Sequence, residues 1–115
     1  PLLGRLRAST GAVVDLRHDV VVGRAPAATP RPGRPSPELL IITDADKSAS
    51  KVHCAVRVED WDLAAEDLGS SNGTFLLRPG RAPRRLAPHS PEPLAVGDVI
   101  SLSDAVTLTV EDADE

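Results

Sequence analysis

Three short polar stretches of the chain carry side chains that suit an oxyanion. They are Gly23-Arg24, the segment 47–53 (Lys-Ser-Ala-Ser-Lys-Val-His) and the segment 67–74 (Asp-Leu-Gly-Ser-Ser-Asn-Gly-Thr). Arginine offers a planar fork of hydrogen-bond donors, and lysine offers a compact charge. Small hydroxyls and glycine-flanked backbone amides add donors without blocking the approach of the three oxygens of the anion. The sequence therefore predicts a phosphate site built from three loops.

Charge and length limit the kind of ligand and the number of domains. The chain has 115 residues, 41% of them hydrophobic, which suits one core, and we expect one domain over 1–110 with an acidic tail over 111–115. The net charge of −4 argues against nucleic-acid binding. Residues 1–60 contain nine lysines and arginines and seven acidic residues, whereas residues 61–115 contain four basic and ten acidic residues. A local positive site on an acidic domain favours a small anion over a polyanion.

Several other classes of protein are not expected from this composition. The apolar runs are far shorter than the roughly 20 residues that a membrane span needs, so we expect no membrane insertion. A lone Cys54 fits a reducing, cytoplasmic location. His18, His53 and His89 are too scattered for a metal site, and no cofactor is expected. The absence of methionine indicates a piece of a longer protein, and the Ala, Arg and Pro richness suggests a high-GC bacterial source.

Apolar and polar residues alternate along most of the chain, which is typical of half-buried strands. The pattern predicts an all-β fold, a two-sheet antiparallel β-sandwich. About nine strands are expected, near Leu2–Ala8, Val13–Leu16, Asp19–Val22, Leu39–Ile42, Cys54–Val58, Leu63–Glu66, Thr74–Leu77, Val99–Leu102 and Val106–Val110. Phe75, one of two aromatic residues, is expected in the core.

Ten of the eleven prolines lie in two segments, Pro26–Pro37 and Pro79–Pro93. Proline lacks the amide donor that a sheet needs, so both segments are predicted to be exposed loops. The first carries Arg31 and Arg34, which would place two cations over the predicted site. Loops of this length are either functional or tolerated insertions, and the sequence leaves both readings open.

Four motifs in order resemble those of forkhead-associated (FHA) domains. They are Gly23-Arg24, Ser50-Lys-Val-His53, the segment 67–74 and Gly97-Asp98-Val-Ile100, and the resemblance spans roughly residues 2–110. It implies an FHA-type β-sandwich that binds phosphothreonine peptides through loops at one end. Lys51 departs from the pattern, since members of this family often have arginine there. The chain also has Leu77-Arg78-Pro-Gly80 where an Asn-Gly turn is usual.

The resemblance assigns a role to each residue of the site. Phosphothreonine contact is implied for Arg24, Ser50, Lys51, Ser71 and Asn72. Contact with the flank of the peptide is implied for Ser48 and Ser70. Bracing of the loops is implied for Gly23, His53 and Gly73. Simpler readings remain open, because a serine before a strand and an Asn-Gly pair are also ordinary turn residues.

The spacing of Ser50 and His53 invites a nucleophile and base, but residues i and i+3 of extended backbone point to opposite faces. We therefore expect no enzyme. The leading hypothesis is a noncatalytic phosphothreonine-binding module, monomeric as an isolated domain, whose partners are phosphorylated by a Ser/Thr kinase. The alternative is a phospho-independent interaction domain of a larger signalling or secretion protein.

Overall fold

The chain forms two β-sheets packed face to face in a computed structural model that describes residues 2–27, 31–43 and 47–113. The described strands are β1 (Arg5–Ala8), β2 (Val13–Asp15), β3 (Val20–Gly23), β4 (Glu38–Ile41), β5 (Cys54–Glu59), β6 (Asp62–Asp67), β7 (Phe75–Leu77), β8 (Arg84–Arg85), β9 (Glu92–Leu94), β10 (Val99–Ser101) and β11 (Thr107–Glu111). One sheet has the order β2-β1-β11-β10-β7-β8 and the other β4-β3-β5-β6-β9. The predicted all-β sandwich is confirmed.

Side chains that alternate along the strands fill the space between the sheets. β11 shows the pattern clearly, because Leu108 and Val110 are buried while Thr107 and Thr109 are half-buried. Each fully buried aliphatic side chain contributes about 1.5–3 kcal/mol. Cys54 lies in this core and behaves as a small hydrophobe, since burial raises the pKa of its thiol well above its usual value.

One strand pair is parallel, and it corrects a prediction about the first proline-rich segment. β3 and β4 run in the same direction, with Val20 beside Glu38. A parallel pair needs a connection that returns the chain to the end where the first strand began. Arg31 therefore contacts Asp19, and Arg34 contacts Glu59, at the end of the sheet away from Gly23. The expectation that these arginines cover the predicted site was wrong.

The second proline-rich segment is not simply a loop. It contributes β8, which pairs with β7, and β9, which pairs with β6 at the margin of the other sheet. Pro93 is tolerated in β9 because the strand is an edge, where one side of the backbone needs no partner. Leu86, between the two strands, is buried in the core.

The C-terminal strand runs one residue past the predicted end of the domain. Glu111 belongs to β11, and its carboxylate accepts a hydrogen bond of 2.8 Å from Arg7 Nε on the neighbouring β1. The last two residues of the predicted acidic tail lie outside the described residues. No described residue belongs to a helix long and apolar enough to cross a membrane.

Strand directions bring the three polar stretches to one end of the sandwich. Val22, near the end of β3, lies beside Cys54 at the start of β5, and Cys54 lies beside Asp67 at the end of β6. The segments 24–25, 47–53 and 68–74 consequently leave the sheet together. We call this set of residues the loop end.

Asp19 secures the opposite end, and its loss should destabilise the fold. Its buried carboxylate accepts hydrogen bonds from Val58 N at 2.8 Å, Arg31 Nε at 2.8 Å and Arg57 Nη1 at 3.3 Å. Asp19→Ala would leave these donors without their acceptor, and we expect the free energy of unfolding in urea to fall by about 2–4 kcal/mol.

Asp15 provides the matched control for Asp19. Its side chain is 43% exposed and pairs with Arg5 and Arg17, so Asp15→Ala should cost less than about 1 kcal/mol. Equal losses for the two variants would contradict this account of Asp19.

Candidate functional site

The Gly23-Arg24 pair is joined to the 47–53 segment by its backbone. Arg24 N donates to Ser50 O at 3.1 Å, and Ala25 N donates to Lys51 O at 3.0 Å. A Cβ atom on Gly23 would lie 1.9 Å from Lys51 O, so only glycine permits this close approach. The position that the sequence assigned to bracing is thus a point of contact between two segments.

The Arg24 guanidinium is half-buried against the 47–53 segment. Its Nε donates to Ala49 O at 2.6 Å. Among the described residues, none accepts a hydrogen bond from its terminal nitrogens. Since one donor is held by the protein, the planar group is oriented and its remaining N–H groups are available to an anion.

Ser50 links two of the segments through its side chain. Its Oγ accepts a hydrogen bond of 2.9 Å from Ser71 N. A hydroxyl that accepts one bond still has its own O–H to donate, so Ser50 retains a donor for an oxyanion. Lys51, the next residue, has an exposed side chain. It adds a mobile point charge rather than a fixed fork.

His53 is fully buried, and its ring forms one hydrogen bond within the 47–53 segment and one to the 68–74 segment. Nδ1 accepts from Ser50 N at 2.9 Å, which places the proton of the neutral ring on Nε2, and Nε2 donates to Gly73 O at 2.9 Å. Burial lowers the pKa of His53, although the Gly73 carbonyl and the charge of Asp67 act in the opposite direction.

The histidine takes no part in a nucleophile and base pair in this geometry. Its bond to Ser50 is made by the backbone nitrogen, whereas the hydroxyl of Ser50 bonds Ser71. The described residues contain no group of three histidine, cysteine or acidic side chains that could hold a metal.

Asp67 organises the 68–74 segment, and the sequence prediction missed this role. The buried carboxylate accepts hydrogen bonds from Gly69 N at 3.0 Å, Ser70 N at 3.3 Å and Thr74 Oγ1 at 2.6 Å. Burial alone would raise the pKa of Asp67, but the bonds from Ser70, Thr74 and Gly69 outweigh it and lower the pKa. The signal for this role was present, because an aspartate that opens a Gly-Ser turn commonly bonds the amides that follow.

Ser70, Ser71, Asn72 and Ser48 occupy different positions in the loop end. The Ser70 hydroxyl donates to Asp67 inside its own segment. The contact of Ser70 and Ser48 with the flank of a peptide stays a prediction. Ser71 and Asn72 are exposed. Asn72 Nδ2 donates to Ser48 O at 2.8 Å, which adds a further link between the 47–53 and 68–74 segments. The Asn72 carbonyl oxygen is left as an acceptor.

Phe75 does not lie in the core, which corrects the sequence expectation. Successive side chains of a strand point to opposite faces, and in β7 the inward position belongs to Leu76. Phe75 is half-buried on the outer face of the sheet. There it lines a groove of about 350 Å³ together with Asn72, Ser48 and the segment 101–105.

Comparisons with known proteins point to one family. The model of the FHA domain matches residues 20–103. No curated protein sequence matches the chain. The FHA domain of an Arabidopsis thaliana hypothetical protein is 24% identical, with 99% of this chain and 91% of that chain covered and a TM-score of 0.67.

Two further structures contain bound peptides. The FHA domain of human APLF, in complex with an XRCC1 bisphospho peptide, is 22% identical, with 95% and 98% of the two chains covered and a TM-score of 0.68. The MEK1 FHA domain, in complex with a phosphothreonine peptide of HOP1, is 24% identical, with 99% and 100% covered and a TM-score of 0.65. At these identities the likeness establishes the shared fold.

The lowered pKa of His53 predicts a pH dependence of stability. The folded pKa lies below the value of about 6.5 expected in the unfolded chain. The stabilisation by His53 is therefore complete above about pH 6.5 and is lost as the pH falls through the folded pKa. The free energy of unfolding, measured in urea, should decrease from pH 7.5 to pH 5.5.

Two variants separate His53 from other titrating groups. His53→Gln is expected to be less stable and to lose part of the pH slope, because glutamine does not titrate. His89→Gln removes an imidazole that is 65% exposed and, as the matched control, should keep the stability of the unsubstituted chain at pH 7.5. An unchanged slope in His53→Gln would refute the assignment.

Proposed function

The chain belongs to the forkhead-associated (FHA) domain family, and from that premise we propose that it is a noncatalytic module that binds a phosphothreonine segment of a partner protein. The observation that carries the proposal is the loop end, where the half-buried Arg24 guanidinium and the Ser50 hydroxyl belong to segments tied together by backbone and side-chain bonds. FHA domains are interaction modules, and this arrangement offers oriented donors without an activated nucleophile.

The proposed ligand supplies the complementary chemistry. A phosphothreonine carries about −1.5 to −2 charges at neutral pH and three acceptor oxygens. Arg24 would hold one edge of the phosphate with its terminal nitrogens, Ser50 would donate its hydroxyl, and Lys51 would add charge from the solvent side. Ser71, exposed beside Ser50, would assist at the phosphate or the adjacent peptide.

Asn72 has the chemistry to bind the main chain next to the phosphothreonine. Its side chain is exposed at the rim of the loop end, and its carbonyl oxygen would accept a hydrogen bond from a peptide amide. The amide group already donates to Ser48 O, so its orientation is fixed before a ligand arrives. A donor or acceptor that is oriented in advance reduces the entropy lost on binding.

Threonine would be preferred to serine if its methyl group is buried beside the phosphate. One buried methyl group contributes about 0.8 kcal/mol. We expect affinities near micromolar or weaker, because a short peptide buries little surface. The partner would be phosphorylated by a Ser/Thr kinase, and the isolated domain would act as a cytoplasmic monomer.

The peptide complexes of the APLF and MEK1 domains support this proposal over the phospho-independent alternative. That alternative keeps the same fold but needs no cation at the loop end. No specific feature of the described residues favours it.

Arg24→Ala tests the proposed function directly. A charge-assisted hydrogen bond contributes about 1.5–3 kcal/mol, so we expect calorimetry to show at least a tenfold weaker Kd for a phosphothreonine peptide selected from an oriented library. Arg24→Lys should bind with intermediate affinity because it retains charge without the fork. The unphosphorylated peptide should not bind measurably to the unsubstituted chain.

Arg81→Ala is the matched control for Arg24→Ala. It removes the same charge from an exposed position in the turn after β7, away from the loop end, and should leave the Kd within about twofold, as expected for a screened, distant charge. A Kd for Arg24→Ala that equals the control value would overturn the proposed function.

A further inference from the structure

Arg85 lies beside the loop end but belongs to neither the phosphate contacts nor the bracing residues. It pairs with Phe75 across β7 and β8, and its guanidinium carbon lies 5.8 Å from the centre of the Phe75 ring. A Cβ atom on Gly73 would meet Arg85 Nε at 2.8 Å. The exposed Arg85 side chain therefore lies beside both the aromatic ring and Gly73 of the 68–74 segment.

The charge of Arg85 is not balanced by a carboxylate among the described residues. Two neighbouring arginines of the same hairpin are ion-paired, Arg78 with Asp98 at 3.2 Å and Arg84 with Glu92 at 3.2 Å. Within the part of the chain that the structure describes, Arg85 forms no ion pair, and its guanidinium lies over the Phe75 ring. A cation placed over an aromatic face is held in orientation while the N–H groups at its edge stay free to donate.

Arg85 also lies at one side of a groove that begins at the loop end. Ser101, Phe75 and Arg85 are paired residues of three adjacent strands and share the outer face of the sheet. Phe75 lines the groove with Asn72 at the end nearest the phosphate contacts and with Asp104 on the side away from Arg85. Asp104 therefore places a negative charge in the lining of the groove, and Arg85 places a positive charge one strand beyond Phe75 on the other side.

We propose that Arg85 determines specificity by selecting peptides with an acidic side chain next to the phosphothreonine, an inference that rests on the proposed function. A peptide anchored at Ser50 and held by Asn72 would leave the loop end over Phe75. A glutamate or aspartate on the side of Arg85 would accept hydrogen bonds from the guanidinium. The same side chain directed at Asp104 would be repelled, so the preference belongs to one position of the peptide.

A positional peptide library measures this preference without requiring that the partner protein be known. The full chain is immobilised and offered peptides with a central phosphothreonine, in which one flanking position at a time holds Glu, Gln or Lys. We expect Glu to be enriched over Gln by about threefold to tenfold at one position, the range of a partly exposed ion pair with hydrogen bonds. The same library without phosphate should not be retained.

Three variants assign the preference to Arg85. Arg85→Gln should still retain phosphothreonine peptides but enrich Glu and Gln equally, and Arg85→Glu should enrich Lys at the position where the unsubstituted chain enriched Glu. Arg81→Gln, which removes the same charge at the far turn of the hairpin, should keep the preference for Glu.

The outcomes separate this inference from the proposed function. Retention without a preference for Glu at any position, or a preference that survives in Arg85→Gln, would overturn the role of Arg85 alone. Equal loss of all phosphothreonine peptides in Arg85→Gln would also overturn it, by making Arg85 a phosphate contact. If the unsubstituted chain retains phosphorylated and unphosphorylated libraries equally, both the inference and the proposed function fail.

Discussion

A single buried imidazole, that of His53, holds together the two segments on which the loop end depends. One ring nitrogen accepts the backbone N–H of Ser50 and the other donates to the carbonyl of Gly73. A neutral ring makes both bonds at once, whereas an imidazolium would present a second proton to the Ser50 N–H group. The two exposed links, from Ser71 to Ser50 and from Asn72 to Ser48, are made between segments that this ring has already placed.

The loop end is consequently a polar network attached to an apolar sandwich. Asp67 shapes the 68–74 segment from within. Gly23 lets the backbone of Arg24 and Ala25 approach the 47–53 segment closely enough for two backbone hydrogen bonds. Buried polar groups of this kind cost free energy unless each finds a partner. In return, the groups that face outward are oriented before a ligand binds, which reduces the entropy lost in binding.

The sequence predicted the sandwich well, because alternation is a local property that each strand shows by itself. It did not predict the parallel pairing of β3 with β4, since the identity of a strand's neighbour depends on distant residues, and the positions of Arg31 and Arg34 were therefore wrong. The sequence analysis also placed Phe75 in the core because it is aromatic, whereas the alternation of side chains along β7 turns Leu76 inward and Phe75 outward. The site residues were predicted from the resemblance to the family. The role of Asp67, in contrast, is evident only from the hydrogen bonds that its carboxylate accepts.

An NMR titration of the ¹⁵N-labelled chain with a library-selected phosphothreonine peptide tests most directly whether the three loops converge on one phosphate. The account predicts that the amides of Ser50 and Ser71 and the side-chain signal of Arg24 shift together with one Kd, because they face the same phosphate. The indole signal of Trp61, in the turn between β5 and β6 at the far end of the sandwich, should not move. Shifts centred on Trp61, with the signals of the loop end unchanged, would contradict it.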